Sequence, residues 1–133
     1  MASIDSKNNI KPEIALDIQA IASDTTTVGN EIDTAGFESV SFILETGAYT
    51  DGNYTLLIED TDTSGSGYAP VADSFLIGTE ADTVLSAANG VSRIGYVGKK
   101  QFVRASVVSD TVTTGATVGG LAVLGSAHHN PVA

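Results

Sequence analysis

The stretch Val91-Ser-Arg-Ile-Gly-Tyr-Val-Gly-Lys-Lys-Gln-Phe-Val-Arg-Ala-Ser-Val-Val108 constrains the fold more than any other part of the chain. It reads as two strands, Val91 to Val97 and Gln101 to Val108, joined by a tight turn at Gly98-Lys99-Lys100. Four of the six basic residues fall inside it: Arg93, Lys99, Lys100 and Arg104. The rest of the chain is strongly acidic, and the formal net charge is −10. A hairpin that gathers most of the positive charge of an acidic, β-rich chain predicts a docking surface rather than a catalytic cleft.

The remaining pattern is also that of strands. Gly36 to Glu45 alternates, with Val40, Phe42 and Leu44 expected inside and Ser39, Ser41 and Ile43 outside. Asp51-Gly52 is a hairpin signal, and Tyr54, Leu56 and Ile58 follow it on one face. From Glu13 the alternation puts Ile14, Leu16, Ile18 and Ala20 on one face and Ala15, Asp17, Gln19 and Ile21 on the other. Ile14, Ile18 and Ile21 also recur at helical spacing, so helix is the alternative there. Pro70 marks Tyr68 to Leu76 as an edge strand or bulge, and Val84 to Ala88 suits one helical turn. Thr111 to Gly120 reads as a turn region before a last apolar strand, Leu121 to Leu124. Roughly seven to eight short strands, with turn signals about every 8 to 12 residues, predict an all-β antiparallel β-sandwich or jelly roll. Residues 1 to 12 are polar and read as an extended, flexible N-terminal arm; residues 13 to 133 form a single domain with a short C-terminal tail.

A chain of 133 residues buries about 68% of its unfolded surface as one domain, enough for a core without staples. Cysteine is absent, so there is no disulfide framework and no thiolate site. The first ten residues lack an apolar signal-peptide core, and no apolar run approaches the roughly 18 residues that span a bilayer. A soluble chain is expected. The acidic balance argues against nucleic acid and anionic membranes, since both need surplus Lys and Arg. Tryptophan is absent and aromatics are few, which disfavours stacking on sugars.

Chemistry-bearing motifs are weak. Asp60-Thr-Asp62-Thr-Ser64-Gly65 opens like a calcium loop, but position 12 is Val71 where a bidentate glutamate is needed. A solvated loop is the expectation. His128 and His129 are adjacent in the tail, with no second ligand pair at a defined spacing, so no metal is expected. No Gly-x-Ser-x-Gly elbow occurs, and Gly95 to Lys100 lacks the hydroxyl and helix of a phosphate loop. Its glycines serve a bulge and a turn. Asp24, Asp51, Asp60, Asp62 and Asp82 sit in turns, as residues that end strands do, so paired catalytic carboxylates are not indicated. The chain is expected to be no enzyme and to need no cofactor. The bland alternative for the basic residues is local pairing of Arg93 and Arg104 with acids on neighbouring strands.

Three runs carry a likeness. Arg93-Ile-Gly-Tyr-Val-Gly-Lys-Lys-Gln-Phe-Val-Arg104, Gly36-Phe-Glu-Ser-Val-Ser-Phe-Ile-Leu-Glu-Thr-Gly47 and Asp51-Gly-Asn-Tyr-Thr-Leu-Leu-Ile-Glu-Asp60, with the ending Ala122-Val-Leu-Gly125 to Asn130-Pro131, resemble small decoration (cement) proteins of tailed double-stranded DNA bacteriophages. The likeness spans residues 13 to 131 and lies in β patterns; it carries over no ligand residues. It implies a non-catalytic protein on the outer surface of the mature icosahedral head, assembled in the bacterial host cytoplasm. The implied partners are the major capsid protein and further copies of the chain, as a homodimer or homotrimer, with no direct nucleic acid and no membrane. The implied contacts are Ile4, Lys7, Ile10 and Lys11 of the arm and Arg93, Lys99, Lys100 and Arg104. The alternatives are another phage structural component, of the tail or of head completion, and a small β-sandwich glycan-binding or hydrolytic domain.

Overall fold

Alternating apolar residues separated by glycine- and aspartate-rich turns leave the chain one good way to bury its hydrophobic faces, which is sheet on sheet. The structure, a computed structural model, describes residues 3–128. Met1 and Ala2 of the expected arm, and His129 to Ala133 of the expected tail, lie outside the described residues. The strands are β1 (Ile10–Ile21), β2 (Thr25–Thr27), β3 (Ile32–Asp33), β4 (Phe37–Tyr49), β5 (Asn53–Thr61), β6 (Ala69–Pro70), β7 (Leu76–Ile77), β8 (Val91–Tyr96), β9 (Phe102–Asp110) and β10 (Ala116–Ala127). Sheet A has the order β1-β10-β4-β8-β7; sheet B has β2-β9-β5-β6, with β3 also on β9. Every pairing is antiparallel. The fold is an all-β sandwich, as the alternation predicts.

The inward sets expected for β4 and β5 hold. Phe42, Leu44, Tyr54 and Ile58 are wholly buried in one core with Ile94, Val118 and Leu124 of sheet A and Val103 and Val107 of sheet B. Each such side chain contributes about 1.5–3 kcal/mol of transfer free energy. Pro70 does sit in an edge strand, where β6 meets the far end of β5.

Six expectations are corrected. The stretch from Val91 to Val108 is not a hairpin: β8 pairs with β4 and β7 in sheet A, whereas β9 pairs with β5, β2 and β3 in sheet B. Residues 97–101 instead arch across the sandwich, because Ile94 and Tyr96 on one strand and Val103 and Ala105 on the other must face the same core. Asp51-Gly52 likewise turns an arch from β4 in sheet A to β5 in sheet B. Strand β1 begins at Ile10, inside the expected arm, and two register shifts break its alternation. Ala15, Leu16 and Ile21 are therefore buried while Ile14 and Ile18 face outward. Strand β10 is also longer than expected, since Ala116, Val118 and Gly120 continue the inward row of Ala122 and Leu124. The short helical turns lie at Asp73–Phe75 and Glu80–Thr83, not at Val84 to Ala88, and Leu85 forms a bridge with Tyr54. Gly95 marks no bulge, because the β4–β8 register runs unbroken past it.

Tyrosines pin both arches. Tyr54 donates its hydroxyl to the Asp51 carbonyl at 2.8 Å, and Tyr49 donates to the Gly52 carbonyl at 2.8 Å. Tyr96 donates to Asp60 at 2.7 Å and accepts from the Lys100 amide at 3.2 Å. Burial, then the Asp60 hydrogen bond, pushes the Tyr96 hydroxyl well above its ordinary range, so it stays a donor. The Asp51 carboxylate receives the amides of Thr113, Thr114 and Gly115, which hold it below the usual carboxylate range.

The segment after β7 shields an edge of β5. The Leu56 amide donates to the Thr83 hydroxyl at 3.0 Å and the Ile58 amide to the Glu80 carboxylate at 2.7 Å. These side chains occupy donors that would otherwise recruit a foreign strand. Burial raises the Glu80 pKa against the lowering effect of the Ile58 amide, and Asp73 and Glu59 add repulsion. A raised carboxyl pKa means the folded chain binds a proton more readily than the unfolded one, so Glu80 detracts from stability above that pKa and the deficit vanishes as pH falls through it. Asp51 has the opposite sign: its contribution is present above the ordinary carboxylate range and is lost as pH falls through its lowered pKa. We therefore expect Glu80→Gln, which keeps a carbonyl acceptor for Ile58, to raise the thermal midpoint at pH 7. The gain should shrink towards pH 4, as followed by circular dichroism melts; a gain independent of pH would remove the carboxylate from the account.

Candidate interaction surfaces

The basic residues do not form one surface. The crossing at residues 97–101 sends Arg93 to the outer face of sheet A and Arg104 to the outer face of sheet B. Arg104 lies opposite Glu59 in the β5–β9 register, and its Nε donates to the Glu59 carboxylate at 3.1 Å. Its guanidinium carbon stands 4.0 Å from the Tyr68 ring centroid, a stacked cation–π contact. Tyr68 passes the network on by donating to Glu31 at 2.7 Å; Ser64 and the Gly65 amide also bind Glu31. The Tyr68 bond, then Ser64, then Gly65 hold the Glu31 carboxyl below its usual range. This end of sheet B is internally satisfied: Arg104 fastens the 62–68 loop rather than waiting for a partner.

Lys100 sits at the second arch and pairs with Asp62 at 2.8 Å, which raises its pKa. Asp60 and Asp62, the first carboxylates of the calcium-like sequence, are thus engaged by Tyr96 and Lys100. Among the described residues, no group of three His, Cys, Asp or Glu side chains is placed to hold a metal. Lys99 is exposed on a shallow hollow with Gln101, Glu38 and His128, where His128 Nε2 meets the Glu38 carboxylate at 2.5 Å. His129 lies outside the described residues. Arg93 is exposed and, among the described residues, makes no ion pair.

At the other end of the chain, Asp5 accepts from the amide and side chain of Asn8, so Asp5 to Asn9 forms a turn leading into β1. Those bonds lower the Asp5 pKa. Ile4 is 86% exposed; Lys7 reaches Asn8, and Lys11 lies 3.5 Å from Glu13. Ile10 and Lys11 belong to β1, opposite Gly125 and Leu124, and β1 forms an edge of sheet A.

The outer faces of the two sheets differ in kind. Sheet B carries the cross-strand pairs Glu59–Arg104, Leu57–Ser106, Thr55–Val108 and Asn53–Asp110, the last joined by a 2.9 Å hydrogen bond. Sheet A carries the row Ile14, Leu121, Ile43 and Arg93, and beside it Pro12, Val123, Ser41, Gly95 and Ile77. Ile14, Ile18, Ile77 and Val91 are each more than half exposed on it. Sequence reasoning missed this face because the bulges of β1, which turn Ile14 and Ile18 outward, leave no mark in composition.

Among the described residues, no helix is long and apolar enough to cross a membrane. No protein-family model matches the chain, and no curated protein sequence matches it. Among solved structures the chain is similar to the crystal structure of the SPBc2 prophage-derived protein YomS, at 16% sequence identity and a TM-score of 0.48. The match covers 90% of this chain and 97% of that one. A likeness of that degree carries no argument about activity or partners.

Proposed function

We propose that the chain is a structural protein of a bacteriophage virion, a decoration protein that binds the outer surface of the mature head and clamps neighbouring capsid subunits. The observation that carries this reading is the amino-terminal end, where an almost fully exposed Ile4 precedes the edge strand β1. An apolar residue so placed gains most by lying on another protein, and the segment around it can add to an exposed strand of a capsid subunit. The sequence likeness to phage cement proteins supports the same reading. Several copies around a symmetry axis would then bind with an avidity beyond that of one contact.

The test is co-sedimentation of the purified chain with expanded and with unexpanded tailed-phage shells. The reading expects binding to expanded shells alone, and a large loss of binding when residues up to Asn9 are removed. Binding to neither shell would shift the assignment to a tail or head-completion component.

A further inference from the structure

We propose that the outer face of sheet A is a homodimer interface, joining two copies of this chain face to face about a two-fold axis. This goes beyond the shell-binding reading and does not depend on it.

Electrostatics favours this face. A chain of net charge −10 repels its own copies, and the repulsion is smallest where acids are scarce. Along the paired rows of sheet A, from Gly125 and Ser39 at one end to Gly119, Glu45 and Val91 at the other, the outward positions carry one acid, Glu45, and one base, Arg93. Arg93 lies opposite Ile43 on β4, and Glu45 is the next outward residue along that strand. The two are therefore diagonal neighbours of opposite sign.

The register of the face is self-complementary. With strands about 4.8 Å apart and a rise of about 3.4 Å per residue, an in-plane two-fold axis can pass midway between Arg93 and Glu45. Each copy's Arg93 then meets the other's Glu45, and Leu121 and Ile43 fall beside the axis against their own symmetry mates. An isologous contact needs this self-complementarity. The face is also built for close approach: Ser39, Ser41, Gly95 and Gly125 keep it low, and Ile18 lies over Gly119.

The face is also large enough. Strands β1, β10 and β4 are 12, 12 and 13 residues long. With the shorter β8 they present roughly 700 Å², close to the roughly 800 Å² per partner of a standard stable interface. Sheet B offers no rival, because its outer face is polar and paired within itself.

The experiment is sedimentation velocity on the full chain over a concentration series up to about 100 µM, a range that detects affinities of ordinary dimers. The expected species has twice the 13.6 kDa chain mass, and it should tighten with added salt as the net repulsion is screened. Leu121→Glu, placing a charge beside the axis, should weaken association at least about 100-fold while the thermal midpoint of the monomer stays near that of the unmodified chain. Arg93→Glu and Glu45→Arg should each weaken it about 10-fold, and the double exchange should restore it. A monomer at every concentration, a trimer, or failure of the double exchange to restore binding overturns the proposal. Should Leu121→Glu fail to fold, the charge-exchange series decides alone. Loss of shell binding with an intact dimer would count against the decoration reading only.

Discussion

Replacing Gly29 by alanine is expected to destabilise the protein more than any other single methyl addition along the chain, by about 3 kcal/mol or more. A β-carbon at Gly29 would lie 1.8 Å from the Ala105 carbonyl oxygen and 2.6 Å from that of Ala15. Both obstacles are backbone, one in β9 of sheet B and one in β1 of sheet A, so neither can rotate away. The loop is there for a reason. The Asn30 amide donates to the Ala15 carbonyl at 2.7 Å, and its side chain donates to Ile14 and Asp17 at 3.1 Å each. The Ala15 and Ile14 acceptors are backbone carbonyls where β1 bulges away from β10, and the Asp17 acceptor is its side-chain carboxylate. Moving the loop outward to admit a methyl group breaks these bonds and opens the seam between the sheets. Gly47→Ala is the control, since its β-carbon would meet nothing nearer than the Thr117 β-carbon at 4.0 Å. Its effect should stay within about 0.5 kcal/mol. Urea unfolding of the two variants, compared at constant slope, measures the difference. Equal midpoints would mean that the 28–30 loop does not bridge the sheets.

Removing the Tyr54 side chain is the second large effect, with Tyr54→Ala costing about 3–5 kcal/mol. Tyr54 is wholly buried beneath the first arch and meets the Tyr49 ring edge-on at 6.4 Å. Truncation leaves a cavity where β4 passes to β5 and removes the hydroxyl that holds the Asp51 carbonyl. Tyr54→Phe separates the two contributions. It keeps the ring and leaves that carbonyl short of one donor, at about 1 kcal/mol. Against a total stability of about 5–15 kcal/mol for domains in general, the alanine variant is expected to be marginal at room temperature. Thermal and urea unfolding of the pair would check the ratio, and a phenylalanine variant as unstable as the alanine one would make the hydrogen bond, not packing, the main contribution.

The two effects share a cause. The chain changes sheet at most of its connections, and among the described residues the only sequence-adjacent strands that pair are β5 with β6 and β7 with β8. Stability therefore depends on what fastens the crossings: Tyr54 and Tyr49 at one arch, Tyr96 at the other, and Gly29 with Asn30 along the β1 seam. The Tyr49 and Tyr54 bonds are local to their arch, whereas the Tyr96–Asp60 bond and the packing of Gly29 against Ala105 join segments distant in sequence. Disrupting one releases two sheets at once.

The period-two alternation in the sequence determined the strand class and the inward rows Val40-Phe42-Leu44 and Tyr54-Leu56-Ile58, because a half-buried strand shows one face to water whatever it pairs with. It could not distinguish a hairpin from an arch. Both need a short turn between two alternating runs, and the difference lies in whether the second run pairs with the first or faces it across the core. That decision belongs to the whole set of strands, which must bury Ile94, Tyr96, Val103 and Ala105 in one layer. It separated Arg93 from Arg104 and dissolved the single basic surface that proximity in sequence suggests. The bulges of β1 were equally hidden, since an extra residue in a strand is set by its neighbour β10 and by Asn30 reaching in from another segment. Composition fixed the acidity and the absence of thiol chemistry. Tertiary structure alone decided which apolar side chains were left outside, because that depends on which face of each strand its neighbours cover.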